Sequence, residues 1–304
     1  MIQLFNILIN LALIILPQLI YVEGSIEKLD NQLFIDNHNS KQLSYTVKSN
    51  KFIERKFING YYIDNNKICI SKNRKKRNYW NNLTVVPDRF DWREHGAVSS
   101  VKNQGECGSC WAFSSTESIE GIWAIQKKQL YNLSEQELVD CSGYLGNQGC
   151  MGGLMDYGFE YVIENGLCLN SSYPYVSEQN DCNKSNCSSV VTINNYTDIE
   201  SNTENLLQSA VYNQPISVAI QANTQSFQFY NSGVYSDPNC GFELDHGVLV
   251  VGYGYDEGVN MSYWIIKNSW GTDWGENGYI RILKDYNDTR GLCGIAMNAS
   301  FPII

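Results

Sequence analysis

QGECGSCWAFS, residues 104–114, places Cys107 and Cys110 three positions apart in a run of small residues, directly before a segment with apolar patterning. A C-x-x-C pair is typical of a redox dithiol or of half a metal site. A third interpretation gives the two sulfurs different roles, one structural and one reactive. The remainder of the chain discriminates between these interpretations.

The first residues predict a secreted protein. The chain has 304 residues, of which 43% are hydrophobic and 12% aromatic, as in packed globular proteins. Residues 4–22 form an apolar run that Asn and Pro interrupt, followed by the small pair Gly24-Ser25. This pattern favours a cleaved signal peptide over residues 1–24, and not a membrane span. No later apolar run reaches the about 18 residues that a bilayer requires, so we expect no span after signal removal.

Secretory entry implies an oxidising compartment. Ten cysteines are then read mostly as disulfides. Nine N-x-[ST] sequons agree with a glycoprotein, although an Asn-rich chain also forms such triplets by chance. They begin at Asn82, Asn132, Asn170, Asn183, Asn186, Asn195, Asn260, Asn287 and Asn298.

Charge is unevenly distributed along the chain. Residues 25–77 contain 12 Lys and Arg against 5 Asp and Glu, whereas residues 78–304 contain 10 against 26. We expect the partner of the basic block to be the acidic remainder of the chain, and not nucleic acid or an anionic membrane. A basic cluster at residues 74–77 is either a proprotein-processing site or a solvated linker, and we favour the processing site. Residues 25–86 are therefore predicted to be a removable pro-segment. Within it, only residues 54–66 show helical patterning.

The remaining chain divides into a helical half and a strand-rich half. Residues 110–126 carry a helical apolar stripe with Ser109 as the predicted N-cap, and LSEQELVDC (133–141) opens with a capping box. Short β-branched or aromatic segments after about residue 190 predict strands. The stripe residues are Ala112, Ile119, Ile122 and Trp123, and the strand segments are ISVAI (216–220), GVLVVGYG (247–254), YWIIKN (263–268) and GYIRIL (278–283). This order predicts an α+β protein of two lobes, with chemistry in the cleft between them.

A cysteine at the start of a helix is a candidate nucleophile. The N–H groups and the dipole of the first turn would lower the thiol pKa of Cys110. Of the three histidines, His38 lies in the predicted pro-segment and His95 in a polar turn, whereas His246 opens a buried-looking strand. A lone strand-end histidine is more often structural, but together with Cys110 we interpret His246 as its base. Asn268, alone only a turn former, is placed to hold the other ring nitrogen.

The spacing of these residues resembles a known family. Cys-Gly-Ser-Cys-Trp, with His246 lying 136 and Asn268 lying 158 residues after Cys110, is similar to the signature of papain and the cathepsins. The motifs NQGECGSCWAF, LSEQELVDC, GCMGG, LDHGVLVVGYG and KNSWGTDWGENGY resemble papain-family peptidases of the cathepsin L type. The resemblance covers residues 87–304 and implies a papain-like domain with a helical lobe and a strand-rich, barrel-like lobe.

The resemblance implies amide hydrolysis by covalent catalysis in a cysteine endopeptidase. Cys110 is the expected nucleophile, and His246 is the expected imidazolium partner that protonates the leaving amine. Asn268 would orient His246, and Trp270 would shield that hydrogen bond from water. The Gln104 side-chain amide and the backbone N–H of Cys110 would hold the oxyanion. No cofactor or metal is expected.

The resemblance also implies a substrate groove. Gly152 and Gly153 would present backbone to an extended protein or peptide substrate. The pocket for the residue two before the scissile bond would be mostly apolar with Asn298 at its floor, which predicts a preference for Leu, Val or Phe. From composition alone, its apolar members are ordinary core residues. The predicted lining is Leu154, Met155, Ala219, Leu244, Gly247 and Asn298, with Trp270 nearby.

Cysteine pairing is likewise implied by the resemblance. The expected disulfides are Cys107–Cys150, Cys141–Cys182 and Cys240–Cys293, with Cys168–Cys187 as a fourth found in some relatives. Cys110 then remains for catalysis, and Cys69 stands alone in the pro-segment. We expect a monomer in the secretory pathway, in a lysosome or vacuole or outside the cell.

The pro-segment departs from the family pattern. It is short, and Glu54, Arg55, Phe57, Asn59 and Ile63 match the family's helical motif without its full spacing. No counterpart of the second pro-segment motif is found. Inhibition of the enzyme by this segment is a hypothesis that follows from the charge distribution, and protonation of carboxylates at acid pH would weaken it.

Three other classes compete with a peptidase. A redox C-x-x-C requires a βαβ context, which the order of helices and strands does not supply. A zinc site requires closely spaced ligands, and the three histidines are scattered. A catalytically inactive papain-like homologue acting as a binding module is opposed by the joint presence of Gln104, Cys110, His246 and Asn268.

Overall fold

A computed structural model describes residues 27–50 and 86–304 of the chain. The predicted signal peptide, the helical pattern at 54–66, Cys69, the basic cluster at 74–77 and Asn82 lie outside the described residues. Among the helices it describes, none has the length and apolar composition that crossing a membrane demands.

The architecture is α+β, with a mainly helical first half followed by a mainly stranded second half, as predicted. The helices are α1 (27–39), α2 (Cys110–Lys127), α3 (Glu135–Cys141), α4 (Met155–Asn165), α5 (Glu204–Asn213) and α6 (Gln225–Gln228). The strands are β1 (Tyr45–Val47), β2 (Phe90–Asp91), β3 (Asn195–Asp198), β4 (Ile216–Ile220), β5 (Tyr230–Tyr235), β6 (His246–Asp256), β7 (Met261–Lys267), β8 (Tyr279–Leu283) and β9 (Ala299–Ile303). Short 3-10 turns cover Trp92–His95, Ser142–Leu145, Gly149–Met151 and Leu292–Gly294.

The described strands form one sheet in the order β1-β5-β8-β7-β6-β4-β9-β3, and β2 pairs with β6. The pairs are antiparallel except β5 with β8. The four predicted strand segments correspond to β4, β6, β7 and β8, so those predictions are confirmed. The other five strands are shorter or more polar and were not predicted.

Two hydrophobic cores define the two lobes. One joins residues of α2, α3 and α4 around Trp111, Leu138 and Phe159. The other fills the strand-rich lobe around Phe227 and Trp264. Because α2 packs against α4 on one side and β6 on the other, its first turn lies where the two lobes meet.

Helix α2 is buried far beyond the predicted apolar stripe. Every residue from Cys110 to Ile122 is buried, including glutamates and hydroxyl residues. The hydroxyl of Ser114 donates to the carbonyl of Val248 (2.8 Å), and the hydroxyl of Ser217 donates to the carbonyl of Ser114 (2.8 Å). These bonds to β6 and β4 explain how a polar helix face is tolerated between the lobes, since buried polar groups require partners.

Buried charges also attach α2 to both lobes. Glu120 lies 2.7 Å from the ammonium group of Lys102, which lies 2.5 Å from Glu135 of α3. Glu117 Oε1 lies 2.7 Å from the Lys267 ammonium of β7, and both side chains are buried. Burial raises the pKa of Glu117 to about 7, against the opposing effects of Lys267 and Lys102. The helix is therefore held by charges from each side.

The two predicted helix starts behave differently. Ser134 accepts a hydrogen bond from the backbone N–H of Glu137 (3.0 Å), as the capping box predicts. The Glu137 carboxylate does not complete the box, because it accepts instead from the backbone N–H of Cys168 (2.9 Å). Ser109 is at the N-cap position of α2, but its side chain makes no capping bond. The predicted N-cap position is therefore confirmed, but the hydroxyl of Ser109 is engaged elsewhere.

The described part of the predicted pro-segment packs on the strand-rich lobe. Helix α1 corrects the expectation that only residues 54–66 have helical character. It buries Asn31, Ile35 and His38 on one face. Because two of these residues are polar, the sequence shows no apolar stripe with helical spacing. Strand β1 then pairs antiparallel with β5, and the Gln225 side chain donates to Asn31 Oδ1 (2.7 Å).

All four expected disulfides are present. They join Cys107 to Cys150, Cys141 to Cys182, Cys168 to Cys187 and Cys240 to Cys293. Cys110 is the described cysteine outside these bridges. In the CGSC segment, Cys107 is therefore half of a disulfide, whereas Cys110 is not disulfide-bonded.

Candidate active site

Cys110 begins α2 at the junction of the two lobes. Its side chain is fully buried, and the backbone N–H of Gly247 in β6 points at its sulfur, with the nitrogen 3.2 Å from Sγ. A helix start and a neighbouring N–H donor both favour a thiolate over a thiol. Gly247 follows His246, so strand β6 brings the histidine to the cysteine.

His246 is buried and oriented by two neighbours. Its Nε2 lies 2.8 Å from Asn268 Oδ1, and its ring lies 4.8 Å from the Trp270 ring, centroid to centroid. Asn268 is itself 1% exposed and follows β7, which pairs with β6. Because Nε2 is engaged by an acceptor, Nδ1 is the ring nitrogen left for a proton from another group.

The charge state of His246 depends on a nearby anion. Burial lowers the pKa of His246 to about 4, against the smaller opposing effect of its bond to Asn268. A buried imidazolium is therefore stable near neutral pH only when a negative charge accompanies it. The Cys110 sulfur lies 3.2 Å from the backbone nitrogen of Gly247, the residue after His246. A thiolate and an imidazolium held close together titrate as a coupled pair.

Gln104 is held at each of its polar groups. Its backbone N–H donates to the Ser269 carbonyl (2.8 Å), and its backbone carbonyl accepts from the Tyr175 hydroxyl (2.7 Å). Its side-chain oxygen accepts from the Ser269 hydroxyl (2.6 Å), and Nε2 donates to the Cys107 carbonyl (2.9 Å). An amide NH₂ has two N–H donors, so one remains for a ligand.

Ser269 connects the two groups of candidate residues. Its backbone N–H donates to Asn268 Oδ1 (2.8 Å), while its carbonyl and hydroxyl bind Gln104. A continuous series of contacts therefore runs from Gln104 through Ser269 and Asn268 to His246. Ser269 was not among the predicted site residues, although it lies inside the KNSWG motif.

The predicted substrate residues also converge. Met155, Ala219 and Leu244 belong to the helical-lobe core, with Leu154 packed against it. Ala219 pairs with Gly247 across β4 and β6, and the Asn298 carbonyl accepts from the backbone N–H of Ala219 (2.9 Å). The orientation of the Asn298 side chain toward the pocket stays a prediction.

The glycine pair adjoins this region, in a loop closed on itself. The Gly152 carbonyl accepts from the backbone N–H of Gln148 (2.8 Å). At Gly153 an added Cβ would lie 2.4 Å from Asn147 Oδ1 and 2.8 Å from the Trp111 ring, so only glycine fits there. This close packing holds the loop against the start of α2.

Two further residues near the pocket and the histidine were not predicted. Met297 packs against the same apolar cluster as Leu244, and a Cβ on Gly294 would meet both side chains. Asp245 precedes His246, and burial raises the pKa of its carboxyl to about 6, although the Ala222 N–H bond opposes this. Asp245 lies inside the LDHGVLVVGYG motif, whereas no motif pattern distinguishes Met297 from ordinary core.

One cluster of metal-ligating residue types occurs among the described residues, at Glu137, Cys168 and Cys187. The two sulfurs form a disulfide and offer no thiolate to a metal. Glu137 is instead paired with Lys184 (2.8 Å) and accepts from the Tyr161 hydroxyl (3.0 Å). The disulfide, the ion pair and the hydrogen bond give these three residues a structural role.

Comparisons with known proteins agree with the geometry. Residues 86–303 match the family described as "Papain family cysteine protease". The chain is 45% identical over 284 residues to the KDEL-tailed cysteine endopeptidase CEP2 of Arabidopsis thaliana, covering 90% of this chain and 78% of that protein. It is 53% identical over 221 residues to the cysteine endopeptidase RepA of Oryza sativa subsp. japonica, covering 72% of this chain and 58% of that protein.

Solved structures give the same result. The proform of the ragweed pollen cysteine protease Amb a 11 matches with a TM-score of 0.81 at 41% identity, covering 90% of this chain and 86% of that chain. Bromelain from Ananas comosus, in complex with the E64 inhibitor, matches with a TM-score of 0.69 at 43% identity, covering 72% of this chain and 100% of that chain. The chain therefore belongs to the papain family of cysteine proteases and is a cysteine endopeptidase with the two-lobed papain-like fold.

Proposed function

We propose that the chain hydrolyses peptide bonds through a thiolate on Cys110 and an imidazolium on His246. The thiolate attacks the scissile carbonyl carbon and forms a tetrahedral intermediate. His246 protonates the amine as the C–N bond breaks, which leaves a thioester on Cys110. Water then attacks the thioester and gives a proton to His246, which releases the carboxyl product and restores the pair. The contact series from Gln104 to His246 is the observation that carries this proposal.

The oxyanion of the tetrahedral intermediate requires donors that are already in place. The backbone N–H of Cys110 and the remaining N–H of the Gln104 amide are the proposed donors. Because Gln104 is fixed at its other polar groups, it does not have to reorganise during the reaction. Asn268 fixes the His246 ring, and Trp270 covers their hydrogen bond. A coupled thiolate and imidazolium predict a bell-shaped dependence of kcat/KM on pH.

A single labelling experiment tests this function. The mature enzyme is treated with an epoxide that captures active-site thiolates, and the labelled peptide is mapped by mass spectrometry. We expect one label, on Cys110, and loss of peptidase activity in proportion to labelling. Labelling without any peptidase activity would favour the alternative, an inactive homologue that acts as a binding module. Labelling at another cysteine would contradict the assignment of Cys110.

The proposed substrates are proteins or peptides with an apolar residue two before the scissile bond. Met155, Ala219 and Leu244 form an apolar group beside Gly247, and Met297 extends it. A charged substrate side chain buried there would lose hydration without gaining a partner. The Gly152–Gly153 loop is proposed to align the substrate backbone.

We expect a preference of at least about 10-fold in kcat/KM for Leu over Arg at this position, since an unpaired charge costs more than a methylene misfit. The measurement uses fluorogenic peptides that differ only there. The variant Asn298→Glu serves as the control for the pocket floor. If the Asn298 side chain faces the pocket, this variant accepts Arg better than the wild type does. An Arg preference in the wild type would contradict the proposed pocket.

The chain is proposed to be made as a zymogen in the secretory pathway. Residues 1–24 would be the signal peptide, 25–86 the inhibitory pro-segment with processing near 74–77, and 87–304 the enzyme. The docking of α1 and β1 on the strand-rich lobe supports an intramolecular inhibitor. A monomer in a lysosome, a vacuole or the extracellular space is the proposed final state, with glycans on some of the sequons.

A further inference from the structure

Tyr175 joins the two sides of the proposed oxyanion site without entering it. Its hydroxyl donates to the backbone carbonyl of Gln104 (2.7 Å) and lies 2.6 Å from Oγ of Ser109. Ser109 immediately precedes Cys110. The Tyr175 hydroxyl therefore contacts Gln104, which supplies the proposed side-chain donor. It also contacts Ser109, the neighbour of Cys110, whose backbone N–H is the other proposed donor.

A tyrosine hydroxyl has one proton, and the Gln104 carbonyl accepts the proton of Tyr175. The Ser109 hydroxyl is then the donor across its 2.6 Å contact with Tyr175, which is much shorter than its distance to its other acceptor, the Cys107 carbonyl (3.5 Å). Burial raises the pKa of Tyr175 to about 12, so this proton is retained at any pH suited to the enzyme. The Tyr175 ring packs edge-on against Phe113 of α2, with centroids 4.8 Å apart.

This arrangement also explains why the side chain of Ser109, the N-cap residue of α2, makes no capping hydrogen bond. A capping side chain accepts from the N–H groups of the first helical turn. The Ser109 hydroxyl is directed to Tyr175 instead, and it makes no such bond. The N–H groups in the first turn of α2, which begins at Cys110, therefore donate no hydrogen bond to the side chain of the N-cap residue.

We propose that Tyr175 is a positioning residue that sets the separation of the two oxyanion donors. It acts through the Gln104 backbone on one side and through Ser109 on the other. The inference rests on the proposed function, because it assumes that Gln104 and the Cys110 N–H bind the oxyanion. Tyr175 itself touches neither the sulfur nor the substrate groove residues in the described contacts.

Tyr175→Phe removes the hydroxyl and keeps the ring on Phe113. We expect kcat to fall about 10-fold with KM within about 2-fold, because the loss affects transition-state binding and not substrate binding. Alkylation of Cys110 by iodoacetamide forms no oxyanion, so its rate should stay within about 2-fold. Tyr173→Phe is the matched control, since it removes a hydroxyl that donates to Asp140 (2.8 Å) away from the site.

A double-mutant cycle separates positioning from a general structural effect. In a Gln104→Ala background, Tyr175→Phe should change kcat less than about 2-fold, because one of the two donors whose separation Tyr175 sets is gone. Additive effects of the two substitutions, or an equal fall in kcat for Tyr173→Phe, would overturn the proposal. If Tyr175→Phe folds poorly, Ser109→Ala is used in the same cycle, with non-additivity again expected and additivity again contradicting the proposal.

Failure of this proposal and failure of the proposed function give different results. Epoxide labelling of Cys110 together with additive kcat effects would remove the role of Tyr175 and leave the peptidase mechanism intact. Absence of epoxide labelling in the wild type would remove both.

Discussion

A Cys110→Ser variant is expected to lose at least about 10⁴-fold in kcat/KM on a peptide substrate. Serine lacks an acidic thiol, and its hydroxyl is not ionised by a helix start and an imidazole alone. The fold should be unaffected, because the serine side chain is close in size to the buried cysteine that it replaces and can still accept from the Gly247 N–H. Kinetics with a fluorogenic peptide, together with thermal unfolding, provide the measurement.

The control for this variant lies on the same helix. Ser118 is buried in α2, and its hydroxyl donates to the Pro215 carbonyl (3.0 Å), away from the candidate site. Ser118→Ala should lower the melting temperature by a few degrees and leave kcat close to that of the wild type. Appreciable peptidase activity in Cys110→Ser, with activity-dependent labelling absent, would refute the assignment of the nucleophile.

The second large effect concerns the pro-segment. A polypeptide of residues 25–86 is expected to inhibit the mature enzyme at neutral pH and to lose affinity as the pH falls. The motivating contacts are the β1–β5 pairing and the docking of α1 beside α6. Carboxylate protonation in the acidic enzyme weakens attraction to the basic segment, and a titrating group at the docked surface adds a further dependence.

His38 is that titrating group. It is 7% exposed, and its ring lies 4.5 Å from the Tyr45 ring and 5.9 Å from the Phe34 ring. Burial lowers the pKa of His38, and the nearby charge of Lys41 lowers it further. The hydrogen bond to the Tyr45 carbonyl and the charge of Asp237 oppose this shift. The undocked segment therefore binds a proton that the docked segment does not, and docking weakens below about pH 6.5.

The size of this contribution is bounded by linkage. One histidine that stays neutral when docked weakens binding by at most about 25-fold between pH 7 and pH 5. The inhibition constant of the segment should rise with acidity by up to this factor beyond the carboxylate contribution. His38→Gln in the segment should remove that part of the pH dependence, while His95→Gln in the enzyme, outside the docked surface, should not.

Three outcomes are informative. A segment that fails to inhibit at neutral pH contradicts the inhibitory role. Tighter inhibition at pH 5 than at pH 7 contradicts the sign of the linkage. An unchanged pH dependence in His38→Gln assigns the effect to carboxylates and removes His38 from it.

Much of the candidate site was predictable because its residues belong to short, continuous sequence motifs. Cys110 and His246 lie at the starts of regular elements, and the glycine, aromatic and asparagine residues around them form motifs with fixed spacing. The β4, β6, β7 and β8 segments are continuous enough in β-branched and aromatic residues to be recognised without a partner. Residue type and the bounding Gly, Asn or Pro residues were sufficient for these strands.

The missed features depend on contacts between distant parts of the chain. Helix α2 reads as amphipathic, but it is buried on nearly all sides because Lys102 and Lys267 neutralise its glutamates from separate lobes. The sequence predicts a capping side chain at Ser109, but its hydroxyl forms a hydrogen bond with Tyr175, 66 residues away, instead of with the first turn of α2. Helix α1 reads as polar because its buried face includes Asn31. None of these partners is near in sequence, so no local pattern contains them.

The pairing of β1 with β5 has a consequence for the life of the molecule after activation. At Gly233 an added Cβ would lie 2.3 Å from the Ser44 carbonyl oxygen, so the two backbones meet as closely as glycine allows. If the proposed cleavage removes the segment, β5 loses this partner, and the N–H and C=O groups along that edge are open to another extended chain. We therefore propose that the pro-segment, besides inhibiting the enzyme, covers this strand edge against pairing with other chains.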